Sequence, residues 1–260
     1  MIELDHLSKK FGNFHAVRDL CLRVPRGEIF GFLGPNGAGK TTTIRMMTGL
    51  IRPTAGRVLL DGKDMAEEPE RAKAVLGYVP DRPYLYEKLT GGEFLDFIAG
   101  LHRLDPGDGW QERSERLLEY FDLRDWRDEL IESYSHGMRQ RLVITAALLP
   151  QPKVLVIDEP MVGLDPRGVR LVKNLLGDLV GSGVTVFLST HILSIAEEVC
   201  QRVGIIHEGQ LIALGTLEEL RDQARSRDER LEPLFLRLTQ GEANGGAPAA
   251  RPGGKGRSDA

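Results

Sequence analysis

The chain has 260 residues, a formal charge of −4 from 34 basic and 38 acidic side chains, and two cysteines. With 41% apolar residues it can bury a full core without staples, and its length suits one domain or one domain carrying a substantial insertion. Cys21 and Cys200 share no metal-ligand spacing, so neither a disulfide framework nor a zinc site is expected and a reducing compartment is the default. The charge gives no basic footprint for nucleic acid, and no run approaches a membrane span or, at the start MIELDHLSKKFG, a secretion signal.

Two short strands are predicted first, CLRV at 21–24 and EIFGFL at 28–33. The next segment, GPNGAGKTT at 34–42, fills every position of G-x-x-x-x-G-K-[ST]. Gly34, Gly37 and Gly39, with Pro35, Asn36 and Ala38 between them, let the backbone wrap closely and turn N–H groups inward. The helix predicted over 42–50 begins there with its positive dipole end toward an anion. A nucleoside triphosphate is the ligand such a loop binds, with Lys40 reaching the β and γ phosphates. Thr41 would offer its hydroxyl to magnesium, and Thr42 would touch the α phosphate.

A third strand is predicted in VLGYV at 75–79, and then the character changes. Thr90 and Glu93 form a capping-box pattern ahead of FLDFIAGL, a charged helical stretch covers 111–121, and another helix covers 139–149. This is more chain than one crossover needs, so a helical insertion at about residues 85–150 is expected. VLVID at 154–158 starts with four apolar residues in succession, as a strand covered on both faces requires. VTVFLST at 184–190 and VGIIH at 203–207 continue the alternation, which reads as α/β with a largely parallel sheet. Thr216 with Glu219 marks one more capped helix, and LEPLFLRLTQ at 231–240 an amphipathic end. Residues 241–260 are Gly, Ala and Pro rich and are expected to form a flexible tail. No internal repeat is present.

The buried strand at 154–158 delivers Asp158, with Glu159 next to it, to the edge of the nucleotide site. Asp158 suits the magnesium coordination sphere and Glu159 suits polarising an attacking water. In SYSHGMRQRL at 133–142, Ser135 stands just before a helix, and with the backbone N–H of Gly137 it offers a second anion site.

A phosphate loop, then this serine segment, then the second acidic motif is an order that resembles the ATP-binding subunit of an ABC transporter over about residues 1–220. GLDP at 163–166 resembles that family's D-loop, and Asp165 also suits capping the helix that Pro166 opens. His191 in STHIL resembles the switch histidine that contacts the γ phosphate, and Phe11 stands where an aromatic stacks on adenine. Two motifs depart from the family pattern. YSHGM replaces LSGGQ, so that His136 and Met138 stand for a glycine and a glutamine, and GYVPD carries Asp81 where a glutamine contacts magnesium and senses the transmembrane partner. Direct metal contact by Asp81 is therefore open.

The resemblance implies a P-loop NTPase core with an antiparallel N-terminal β part and an inserted helical subdomain, together spanning 1–220; beyond it the residue pattern predicts a helical extension over 221–240. It implies ATP and magnesium as ligands, Glu159 as general base, Lys40 and His191 stabilising γ-phosphate charge, and Thr41 with Asp158 holding the metal. Two cassettes, identical or related, would face head to tail with each ATP between Lys40 of one and Ser135 of the other. The partner would be a separately encoded integral membrane permease, of the export type suggested by GYVPDRPYLYEKLTGGEFLDFIAGL, with this chain peripheral on the cytoplasmic face of the membrane. A soluble relative acting on ribosomes or DNA fits less well, because the chain has neither a second cassette nor a long coiled coil. An ATP-gated regulatory subunit is disfavoured by the presence of Lys40, Asp158, Glu159 and His191.

Overall fold

The computed structural model describes residues 1–82, 84–223 and 231–240. Among these the chain runs β1 (Ile2–Phe11), β2 (Phe14–Val24), β3 (Ile29–Leu33), α1 (Lys40–Met47), β4 (Ala55–Leu60), β5 (Lys63–Asp64), α2 (Pro69–Ala74) and β6 (Leu76–Val79). It continues through α3 (Gly91–Leu101), α4 (Trp110–Tyr120), α5 (His136–Leu148), β7 (Val154–Asp158), α6 (Pro166–Gly181), β8 (Thr185–Thr190) and α7 (Leu193–Val199). It closes with β9 (Arg202–His207), β10 (Gln210–Gly215), α8 (Leu217–Gln223) and α9 (Leu231–Gln240). The tail expected at 241–260 lies outside the described residues.

The strands form two sheets. One is antiparallel, ordered β2-β1-β4-β5. The other is ordered β10-β9-β3-β8-β7-β6, parallel throughout except for the β9–β10 hairpin. Period-two alternation explains how the second sheet is covered on both faces. In β3, Phe30 and Phe32 join Val154, Val156 and Phe187 in a cluster with Ile2, Leu4 and Leu7 of the first sheet. Ile29 and Leu33 turn the other way, with Leu155, Ile157, Val186 and Leu188, onto the helices. Phe187 sits 5.7 Å and 5.2 Å from the rings of Phe30 and Phe32, anchoring the layer between the sheets.

Between β6 and β7 the chain makes the expected helical excursion. Thr90 and Glu93 bond reciprocally at the start of α3, the hydroxyl accepting from Glu93 N at 3.1 Å and the carboxylate from Thr90 N at 2.9 Å. The apolar faces of α3 to α5 share one cluster with the helical side of the parallel sheet, so the excursion is packed onto the core. Thr216 and Glu219 form the second reciprocal cap, at 2.7 and 3.1 Å. Cys21 is exposed and Cys200 buried, both as free thiols. No helix of the described residues is long and apolar enough to cross a membrane.

Candidate functional site

The parallel strands β3, β7 and β8 end side by side, and in an open α/β sheet that carboxyl edge is where ligands bind. From β3 the chain enters the glycine-rich loop and then α1. Gly39 takes φ 110 there, and a Cβ on it would stand 2.6 Å from the carbonyl oxygen of Ala16, so both conformation and space demand glycine. As N-cap of α1, Gly39 supplies no side-chain acceptor, and the first turn carries no acidic residue. Its amide donors are left to an anion. Lys40 folds back with Nζ donating to the carbonyls of Gly34 at 2.6 Å and Pro35 at 3.1 Å. Burial pulls its ammonium below the usual lysine range, and the carboxylates of Glu159 and Asp158 oppose that shift.

Asp158 ends β7 at 2% exposure. Burial pushes its carboxyl above the usual range, the charges of Asp81 and Glu159 add to the rise, and the hydroxyls of Ser189 and Thr41 oppose it. Thr41 Oγ1 lies 3.3 Å from Asp158 Oδ2. A buried carboxylate beside a threonine hydroxyl, with two more carboxylates facing the same space, is a donor set of hard oxygens that suits a magnesium ion. Glu159 follows with φ 52, left-handed backbone in a residue that has a Cβ. Its carboxylate receives His191 Nδ1 at 2.8 Å on one oxygen and the Thr190 hydroxyl at 3.1 Å on the other.

These groups line one cavity of about 350 Å³, walled by Phe14, Ala16, Asn36, Gly37, Gly39, Lys40, Thr41, Thr42, Asp81, Asp158 and Glu159. Gly34, Pro35 and Ala38 complete the loop around it without forming that wall, and His191 joins through its bond to Glu159. Phe11 stands apart: it faces Phe14 across the β1–β2 hairpin, its ring is covered by Lys9 Nζ at 5.1 Å from the centroid, and Phe14 is the aromatic that reaches the cavity. Thr190, bonded to Glu159, and Phe14, on the cavity wall, lie outside the motifs. Phe14 carries a local signal, an aromatic immediately after the Gly12-Asn13 turn, whereas nothing local marks the Thr190 hydroxyl.

Ser135, Gly137 and Asp165 do not line this cavity. Ser135 caps α5, its hydroxyl accepting from Met138 N at 3.3 Å, and Arg139 pins the preceding turn by bonding the carbonyls of Tyr134 and Glu132 at 3.1 and 3.0 Å. Asp165 caps α6 by accepting from Gly168 N at 2.9 Å, as its place before Pro166 suggests. The two caps are neighbours, because His136 packs its ring on Gly163, where a Cβ would stand 2.2 Å from the imidazole Cδ2.

A second and larger cavity, about 910 Å³, opens between the sheet and the helical excursion, lined among others by Leu76, Tyr78, Tyr84, Phe94, Ile98 and Val143. Thr41 and Asp81 line both cavities.

A glycine-rich loop between a parallel strand and a helix, faced by a carboxylate from the strand two places along the sheet, defines a P-loop nucleoside triphosphatase. A sequence profile described as ABC transporter matches residues 17–162. The chain is 40% identical over 239 residues, 92% of this chain and 75% of the other, to the daunorubicin resistance ATP-binding protein DrrA3 of Streptomyces coeruleorubidus. It is 40% identical over 241 residues to the probable multidrug ABC transporter ATP-binding protein YbhF of Escherichia coli, spanning 41% of that longer protein. A solved ATP-binding subunit of an ABC transporter superposes with a TM-score of 0.87 at 34% identity, covering 92% of this chain and 99% of that one. The chain belongs to the ABC transporter family, among its ATP-binding subunits.

Proposed function

We propose that this chain is the ATP-hydrolysing subunit of an exporter, working as a head-to-tail pair of cassettes beneath a separate membrane permease on the cytoplasmic face. The observation that carries the dimer is the separation of the two anion sites. Lys40 and the amides of α1 line one cavity, and Ser135 with Gly137 sits outside its wall. A nucleotide that engages both sets requires a second chain, so ATP is the adhesive and its hydrolysis the release.

In this reading Lys40 and His191 stabilise charge on the γ phosphate and Glu159 accepts the proton of the attacking water. Thr41 and Asp158 hold magnesium, which when bound neutralises phosphate charge. Asp81, at the joint of the two cavities, reports between nucleotide and permease rather than serving as a fixed metal ligand. The larger cavity, with Tyr84 exposed at its rim, is the seat for a permease segment. Export is supported by the drug-resistance and multidrug names of the relatives and by the sequence around Asp81.

Glu159→Gln tests the chemistry and the dimer together. It is expected to bind ATP with unchanged affinity, to lose at least about a hundredfold in turnover, and to elute as a dimer when ATP is present. Wild-type turnover in that variant would reject Glu159 as base. Purified with ATP from native membranes in mild detergent, the same variant is expected to bring down a multi-helix membrane protein in fixed ratio. Recovery only with ribosomal or DNA-bound proteins would move the chain to the soluble class of the family.

A further inference from the structure

We propose that Thr190 is a positioning residue for hydrolysis, holding the Glu159 carboxylate in the orientation a general base needs. The proposal rests on Glu159 being that base. Glu159, just beyond the end of β7, itself has left-handed backbone, so its side chain leaves the sheet in a direction regular strand geometry would not give. Its main-chain N–H is tied to the carbonyl of Ser189 in the neighbouring strand at 2.9 Å, which places the residue but not its carboxylate.

The carboxylate has two partners of different character. His191, on Oε1, has a side chain 54% exposed, as a group that turns between carboxylate and phosphate must be. Thr190, on Oε2, is 1% exposed and is the last residue of β8, with strands on either side. The direction of its hydroxyl is settled by chemistry. Oγ1 accepts the backbone N–H of Ile192 at 3.1 Å, and a hydroxyl has one proton, which goes to the carboxylate because a carboxylate oxygen can only accept. When His191 swings to a phosphate, Thr190 keeps Oε2 fixed and leaves Oε1 turned to the space a water would occupy.

Thr190→Val keeps the shape of the side chain and removes the donor, and Thr190→Ser keeps the donor. With the full chain, Thr190→Val is expected to lower kcat by about ten- to a hundredfold, the range that losing a hydrogen bond to a charged group implies, with ATP affinity within about twofold. Retained affinity shows that the variant is folded. Thr190→Ser is expected to recover most of kcat, and adding Thr190→Val to Glu159→Gln to cost nothing further, because a residue that acts only through Glu159 has nothing left to orient. Unchanged kcat in Thr190→Val, failed recovery in the serine variant, or losses that multiply in the double variant would each overturn the assignment to Thr190 while Glu159 stood as base. Full turnover in Glu159→Gln alone would overturn both.

Discussion

Asp158 shows how one side chain sets function against stability. The folded protein holds its proton more tightly than the unfolded chain does, because burial and the nearby Asp81 and Glu159 disfavour the charge. Ionisation therefore costs stability as pH rises from the unfolded value through the folded one, and below the unfolded value the cost vanishes. Asp158→Asn is expected to raise the melting temperature of the nucleotide-free protein by ~2–4 °C, corresponding to about 1 kcal/mol, while magnesium-dependent hydrolysis falls by more than about a hundredfold. The gain should shrink toward acid pH, which melting curves at several pH values would check; a gain that grew toward acid would refute the account. At the same scale, Phe14→Ala is expected to weaken ATP more than inorganic triphosphate, because only the base loses its stacking partner, and Phe11→Ala to discriminate less. Calorimetric titration of both variants with both ligands decides between the aromatic the sequence pattern marks and the one that walls the cavity. The motif fixes Lys40 and Thr41 by spacing alone, whereas which ring faces the cavity depends on how the hairpin leans and which ring Lys9 already covers.

Elements were legible where their signals are local. The capping boxes at Thr90 and Thr216 are four-residue patterns, and the structure closes each with two reciprocal bonds. Thr90→Ala is expected to cost about 1 kcal/mol of stability, read by denaturant unfolding, with ATP affinity unchanged, since the cap lies away from the nucleotide cavity. The apolar run of β7 was equally plain. The first strand was not, because IELDHLSKKF loses strict alternation where the register shifts near His6, and His6 and Asp19 both adopt positive φ, at 50° and 48°. The hairpin joining β9 to β10 is faint in the sequence, although Glu208 and Gly209 form the two-residue turn with positive φ that such a connection favours. Its second strand reads QLIALG, short and following the turn glycine, and only pairing with β9 distinguishes it from a loop.

For the whole molecule the consequential feature is the joint between its two cavities. Thr41 and Asp81 belong to both walls, so the two spaces share two side chains. Tyr84, exposed at the rim of the larger cavity, is expected to matter for docking and not for chemistry. Tyr84→Asp should leave ATP hydrolysis by the isolated chain within about twofold and sharply reduce co-purification of the permease, as a charge brought into an apolar contact does. Undiminished co-purification would place the permease elsewhere. What the sequence by itself determined is the set of local instructions: the loop that binds phosphate, the buried acidic strand, the caps, and through their order the family. What only the tertiary structure decided is which distant groups meet: Thr190 with Glu159 across 31 residues, Phe14 with the phosphate loop, His136 with Gly163. Local patterns are written in neighbouring residues and survive being read one segment at a time. Contacts between segments depend on strand order, register and the lean of a hairpin, and these are settled only when the whole core packs.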